Sequence, residues 1–176
     1  MMRTAAVFGV LTVLVATADL SAQERPSFAG QWSIVADADA PARGGGGGGG
    51  RGGGRGGGRG GLGLGQGATI EQSGSALTIV RTTQGGEVRT TFALDGSQSR
   101  NTVTAGRDGG QVEQVSTARW DGSKLVVTTT MNMGGNAVET TMALSLDASG
   151  NLVVETTGMG RGGDATTQTQ RYSKGV

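Results

Sequence analysis

The side chains of this chain that could do chemistry are few and poorly matched to any reaction. Among its 176 residues there is no His and no Cys, which removes the commonest general base and metal ligand and the thiolate nucleophile. A Ser or Thr nucleophile would then need a lysine or a carboxylate as its base. Lys124 and Lys174 sit where a solvated strand end accounts for them, and strand propensity accounts for the many Ser and Thr. Asp95, Asp108, Asp121 and Asp147 all lie in or beside turns, where a carboxylate caps local backbone N–H groups. The thioethers of Met131, Met133, Met142 and Met159 are donors of the kind soft metals take. Met131 and Met133, however, share a strand face with Leu125 and Val127 and read as core filling. No catalytic residue, cofactor or metal ligand is assigned.

The other chemically distinctive group is a set of four arginines, Arg43, Arg51, Arg55 and Arg59, in a tract at 42–67 that holds 18 of the 36 glycines. Arg-Gly repeats bind RNA through phosphate contacts and guanidinium stacking. This tract has no aromatic residue, and the chain carries a formal charge of only +1. A balance so near neutral limits counterion-release affinity and argues against nucleic acid. An anion-binding loop that grips an acidic polymer or surface is the alternative partner reading. A segment this rich in glycine loses maximal backbone entropy on ordering and is expected to be a flexible coil. The formal +1 less these four positive charges leaves −3, a mildly acidic ordinary domain.

The elements that would position these groups are strands. SALTIVRTT at 75–83, a Gly-Gly turn and VRTTFALDG at 88–96 are echoed by SKLVVTTT at 123–130, a second Gly-Gly turn and VETTMALSLD at 138–147; NLVVETT at 151–157 is a partial third copy. From residue 68 onward there is no Pro, and 19 Thr alternate with Val, Ile, Leu and Met up to Thr169. Turn signals recur at hairpin spacing, and helical periodicity is absent. An antiparallel meander of about nine or ten strands is expected. Val88, Phe92 and Leu94 form one core face, and Val138, Met142, Leu144 and Leu146 another. In the strand at 111–120, Val115 breaks phase with Val112, Ala118 and Trp120, which a β-bulge would restore. Gln114, Ser116, Gln168 and Gln170 would line a hydrated pocket if they face inward, and equally suit a solvent face.

The glycine tract leaves only one strand, at 28–35, on its N-terminal side. One strand is not a domain, so it must rejoin the sheet. Placing the first strand beside the last also removes the two edges of an open meander. The fold expected is all-β, closed into a barrel or barrel-like sandwich, with the long loop 42–67 inside one domain at 23–176. Before that domain, Met1-Met2-Arg3 and an uncharged apolar run at 5–18 read as a signal peptide within residues 1–22, cut after Ala18 or Ala22. The run is too short to cross a bilayer, so no transmembrane segment is expected after cleavage. The protein is expected to be periplasmic or secreted, and without Cys it has no disulfide scaffold.

The opening Phe28-Ala29-Gly30-Gln31-Trp32 and the closing Arg171-Tyr172-Ser173-Lys174 resemble the lipocalin-like, calycin-type small barrels of exported bacterial proteins. Exported bacterial domains of uncharacterised function with the same opening, a Trp-Asp-Gly-x-x-Leu segment like 120–125 and a terminal Tyr-x-Lys are similar too. In lipocalins a Gly-x-Trp begins the first strand and an Arg from near the barrel's end packs over the indole. The resemblance implies that Gly30 and Trp32 form the closed end, with Arg171 as the candidate cover. The lack of a catalytic residue set and the barrel architecture lead to the expectation of a non-catalytic exported binding or structural module, since a small barrel can hold one small molecule at its mouth.

Overall fold

A computed structural model of the protein describes residues 25–35, 63–83, 86–105, 110–133, 135–159 and 163–175. The expected signal peptide lies outside the described residues, as does the loop from 42 to 62 with Arg43, Arg51, Arg55 and Arg59. The described chain is all-β. Its ten strands are β1 (Gly30–Ile34), β2 (Gly67–Gln72), β3 (Ala76–Thr83), β4 (Gly86–Ala93), β5 (Gln98–Ala105), β6 (Gly110–Asp121), β7 (Lys124–Met133), β8 (Asn136–Leu146), β9 (Leu152–Met159) and β10 (Ala165–Lys174). They form one antiparallel sheet in the order β4-β3-β2-β1-β10-β9-β8-β7-β6-β5, curled into a nearly closed barrel compatible with a calycin-like fold.

The first strand does lie beside the last. β1 pairs with β10 at Trp32↔Lys174 and Ile34↔Tyr172, and with β2 at Trp32↔Ala68. The remaining edges therefore belong to β4 and β5, which are consecutive in sequence yet share no backbone ladder. Side chains bridge them. The Asn101 amide accepts from Thr91 N–H at 2.8 Å and donates to Thr91 C=O at 2.9 Å, standing in for the peptide group of a missing neighbour. Ser99 Oγ accepts from Ala93 N–H at 2.7 Å. Backbone groups that a sheet edge would leave bare are thus satisfied at the lower half of the seam.

The hairpin at 121–124 and the turns at 72–76, 94–97 and 147–151 lie at one end, here the lower end, together with Gly30 and Lys174. Of the four turn carboxylates expected to act on backbone, Asp95 and Asp147 do so, and Asp108 lies outside the described residues. Asp147 accepts N–H bonds from Ser149 and Asn151, and Asp95 from Ser97. The bonds from Asn151, chiefly its backbone N–H, hold the Asp147 carboxyl below its usual range, as those from Ser97 do for Asp95.

The lower interior is apolar and filled by Phe28, Trp32, Ile70, Leu77, Ile79, Phe92, Leu125, Met142, Leu144, Val154 and Tyr172, among others. Leu146, in phase with Leu144, emerges at the lower rim and is 37 % exposed. β6 contains no bulge: its register runs unbroken from Gln98↔Thr117 to Ala105↔Gly110 on one side and from Gln114↔Met131 to Asp121↔Lys124 on the other. Val115 breaks no phase, because Gln114, Ser116 and Ala118 are the buried inward residues and Val115 faces out. The expected bulge came from assuming that the inward face is apolar.

One further departure concerns the end of the glycine tract. Residues 63–66 are anchored rather than freely coiled: Leu64 is 1 % exposed in the core, Gly63 C=O accepts from Arg81 Nη1 at 2.7 Å, and Gly65 C=O accepts from the Tyr172 hydroxyl at 3.1 Å. A buried leucine between two glycines anchors the return of the chain into β2. Replacing residues 44–62 by a short linker is expected to leave the melting temperature nearly unchanged, since loop closure costs only about 0.6 kcal/mol per doubling of length. Leu64→Ala is expected to cost about 2 to 5 kcal/mol in a denaturant titration. A silent Leu64→Ala would contradict the packing of this segment.

Candidate functional site: the barrel interior and its two ends

At the lower end, Trp32 is inward on β1, and its Nε1–H donates to Phe28 C=O at 2.7 Å. The cation against this indole is Lys174, with Nζ 5.8 Å from the ring centroid. Arg171 does not take that place. Tyr172 is buried inside β10, so strand alternation sends Arg171 to the exposed outer face, where its charge helps hold the Asp147 carboxyl ionised. Lys174, two residues beyond Tyr172, returns to the inner face directly opposite Trp32. Gly30 has φ +142°, and a Cβ there would stand 2.6 Å from Lys174 Cε. The glycine of the Gly-x-Trp opening is thus required by its backbone, and a side chain there would also have to push the flexible end of Lys174 aside. Parity with Tyr172 was the signal in the sequence that selects Lys174 over Arg171. Phe28 stacks on Trp120 with centroids 5.8 Å apart and planes at 11°, closing the lower end.

The upper part of the interior is different in kind. On β8 the inward series is Leu144, Met142, Thr140, Val138, and on β9 it is Leu152, Val154, Thr156, Gly158; in each, full burial gives way to partial exposure toward the top. β6 follows the same gradient from Ala118 through Ser116 and Gln114 to Val112. Over the apolar floor lies a layer of polar side chains, with Thr129, Ser116, Thr90 and Gln114 at 0 to 4 % exposed. Ser116 Oγ and Thr129 Oγ1 share a hydrogen bond at 2.7 Å. Thr90 Oγ1 and Thr156 Oγ1 are buried and find no hydrogen-bond partner among the described residues. Of the four polar residues left open between pocket and solvent, Gln114 and Ser116 are buried inward, Gln170 is half-buried, and Gln168 is exposed at the upper rim. Met131 is buried beside this layer and Met142 beneath it, as core filling requires.

Between floor and mouth sits a polar cluster of which the sequence pointed only to Gln170. Tyr172 donates its hydroxyl toward Gly65 C=O and toward Gln170 Oε1 at 2.9 Å, and Arg81, inward on β3, lies close to it. Burial lowers the pKa of Arg81, with Tyr172 opposing; burial pushes the Tyr172 phenol up to about 12, with Arg81 opposing. Four ion pairs form among the described residues, including Arg89–Glu71 and Lys124–Glu155, and all join half-exposed or exposed side chains. They add little to stability.

Among the described residues no group of three His, Asp or Glu side chains could hold a metal ion, and no helix is long and apolar enough to cross a membrane. Comparison with protein-family models and with curated proteins returns no match for the chain. What the arrangement offers chemically is a closed apolar lower end, a hydroxyl and amide layer, and a graded opening above it.

Tyr172 is the only tyrosine of the chain, so phenolate absorbance reports it alone. Its folded pKa lies above the ordinary value of about 10, so the neutral phenol stabilises the fold fully below pH 10, and that contribution declines as pH rises toward about 12. A native titration midpoint near 12 and an unfolded midpoint near 10 are expected. A native midpoint near 10 would place the phenol in water.

Proposed function

We propose that the protein is an exported, non-catalytic binding barrel that holds a small amphipathic molecule at its upper mouth. The observation that carries this reading is the buried polar layer above a filled apolar floor, with two threonine hydroxyls left without a partner among the described residues. Buried polar groups are ordinarily hydrogen-bonded, and an unsatisfied one costs about 1 to 3 kcal/mol. A site built to receive a ligand hydroxyl or carbonyl accepts that cost in the free state. Met131, Val103 and the half-buried Val112 and Val138 supply apolar contact around the same level. The resemblance of Gly30 and Trp32 to the opening of lipocalin-like barrels supports the same reading, as does the N-terminal sequence for export to the periplasm or beyond. The absence of His from the whole sequence and the engagement of Lys124 with Glu155 and of Lys174 with Trp32 support a non-catalytic role.

The test uses an amphipathic fluorescent probe, 1-anilinonaphthalene-8-sulfonate, on the native protein. Gly158 faces inward at the mouth, and a Cβ there would meet only Thr140, at 3.5 Å, so Gly158→Leu fills the mouth from an accommodating position. Saturable binding that Gly158→Leu abolishes is expected. Thr90→Val, which removes a partnerless buried hydroxyl at constant shape, is expected to stabilise the free protein by about 1 kcal/mol. Binding unaffected by Gly158→Leu, or no saturable binding, would overturn the mouth as the site.

A further inference from the structure

Outside the stacked Phe28 and Trp120 rings, the lower end carries a cleft of about 320 Å³ between residues 25–27 and the β2–β3 turn. Its apolar surface is supplied by Leu94 and Trp120, and its polar surface by Arg25, Ser27, Gln72 and Ser73. The volume falls at the small end of the range of small-molecule sites, about 300 to 1,000 Å³.

The cleft is built rather than incidental. The Gln72 amide ties its two walls together, accepting from Phe28 N–H at 2.8 Å and donating to Pro26 C=O at 3.2 Å. The turn wall is fixed by Ser73, whose N–H donates to Ala76 C=O and whose Oγ accepts from Ala76 N–H. The N-terminal wall is fixed by the burial of Phe28 and its stack on Trp120. Such walls lose little entropy when a ligand arrives. Arg25 Cζ stands 5.5 Å from the Trp120 ring centroid, and among the described residues Arg25 has no ion-pair partner. A guanidinium attracted to an indole keeps in-plane N–H donors for a second partner. Among the described residues no carboxylate lines the cleft. Trp120 Nε1, in the same wall, is buried without a hydrogen-bond partner among the described residues.

We propose that this cleft binds small monocarboxylates with an apolar body, the carboxylate paired with Arg25 and the body lying on Leu94 and Trp120. A planar guanidinium matches a carboxylate with two parallel hydrogen bonds. A single charge is favoured over a dianion because Arg25 is the only cation that lines the cleft among the described residues, while Asp95 and Asp121 directly follow the floor residues Leu94 and Trp120 in sequence. The site lies at the opposite end of the barrel from the mouth and stands independently of it.

The experiment titrates the purified protein with hexanoate, and with hexanol as the neutral control, following the indole N–H resonances of Trp120 and Trp32. Saturable shifts at Trp120 and not at Trp32 are expected with hexanoate, and weaker binding with hexanol. Arg25 is exposed, so Arg25→Gln, which loses only an exposed cation–π contact, should lower the melting temperature by no more than a few degrees and weaken hexanoate about tenfold or more, the effect of losing a charge-assisted pair. Gly158→Leu, at the other end, should leave hexanoate binding unchanged. The proposal is overturned if Arg25→Gln binds as wild type does, if hexanol equals hexanoate, or if no saturable shift occurs at Trp120.

Discussion

Backbone pairing of β1 on both its sides is the interaction on which the rest of the barrel depends. This five-residue strand joins β2 to β10, and without it the sheet would fall into a three-stranded and a six-stranded piece, each with an additional bare edge. Its registers place Trp32 opposite Lys174 on one side and Ala68 on the other. A Cβ at Gly67 would stand 2.6 Å from Trp32 C=O, so β2 approaches β1 as closely as only glycine allows. Because β1 closes this side fully, the unavoidable discontinuity of the curled sheet falls between β4 and β5. There two polar side chains, Asn101 and Ser99, take over the work of a ladder.

Closure at β1 also sets the division of the interior. It holds Trp32, Phe28 and Tyr172 in the core and ties the returning chain to β1 through Ile34 N–H and Gln66 C=O, so that Leu64 completes the apolar filling. Polar side chains then occupy the next level, where hydroxyls and amides are buried over that floor. An apolar layer at this level would bury more favourable surface and leave no hydroxyl unsatisfied. Threonine on an inner face is therefore a departure from what stability alone selects, and such departures mark the places where function is expected. The lower cleft has the complementary character, with polar groups arranged around an apolar floor at the outside of the closed end.

Much of this was legible in the sequence because each local signal agreed with the global one. Alternating Val and Thr with Gly-containing turns specifies hairpins, and the isolated strand before the glycine tract had to seek the sheet's far edge, where β10 indeed receives it. The strand count and the all-β class follow from the same pattern. The interior polar layer was hidden by its own composition: Gln114 and Ser116 on an inner face look like a register error when the inner face is assumed apolar. Leu64 was hidden among glycines, since a single leucine gives no periodicity. Lys174 was legible in principle from its parity with Tyr172, whereas Arg171 drew attention through the lipocalin pattern. The lower cleft was not legible, because Arg25, Gln72, Leu94 and Trp120 come from four separate segments whose convergence only the closed barrel creates.

β1 locks the barrel, and the β4–β5 seam is its weakest closure. Native-state amide hydrogen exchange tests it most directly, because protection reports the free energy of the opening that frees each N–H. Trp32 and Ser33, in the middle of β1, should exchange only through global unfolding, whereas Thr91 and Ala93, held by side chains across the seam, should exchange through a smaller local opening. Exchange at Trp32 and Ser33 as fast as at Thr91 and Ala93, or faster, would contradict the account.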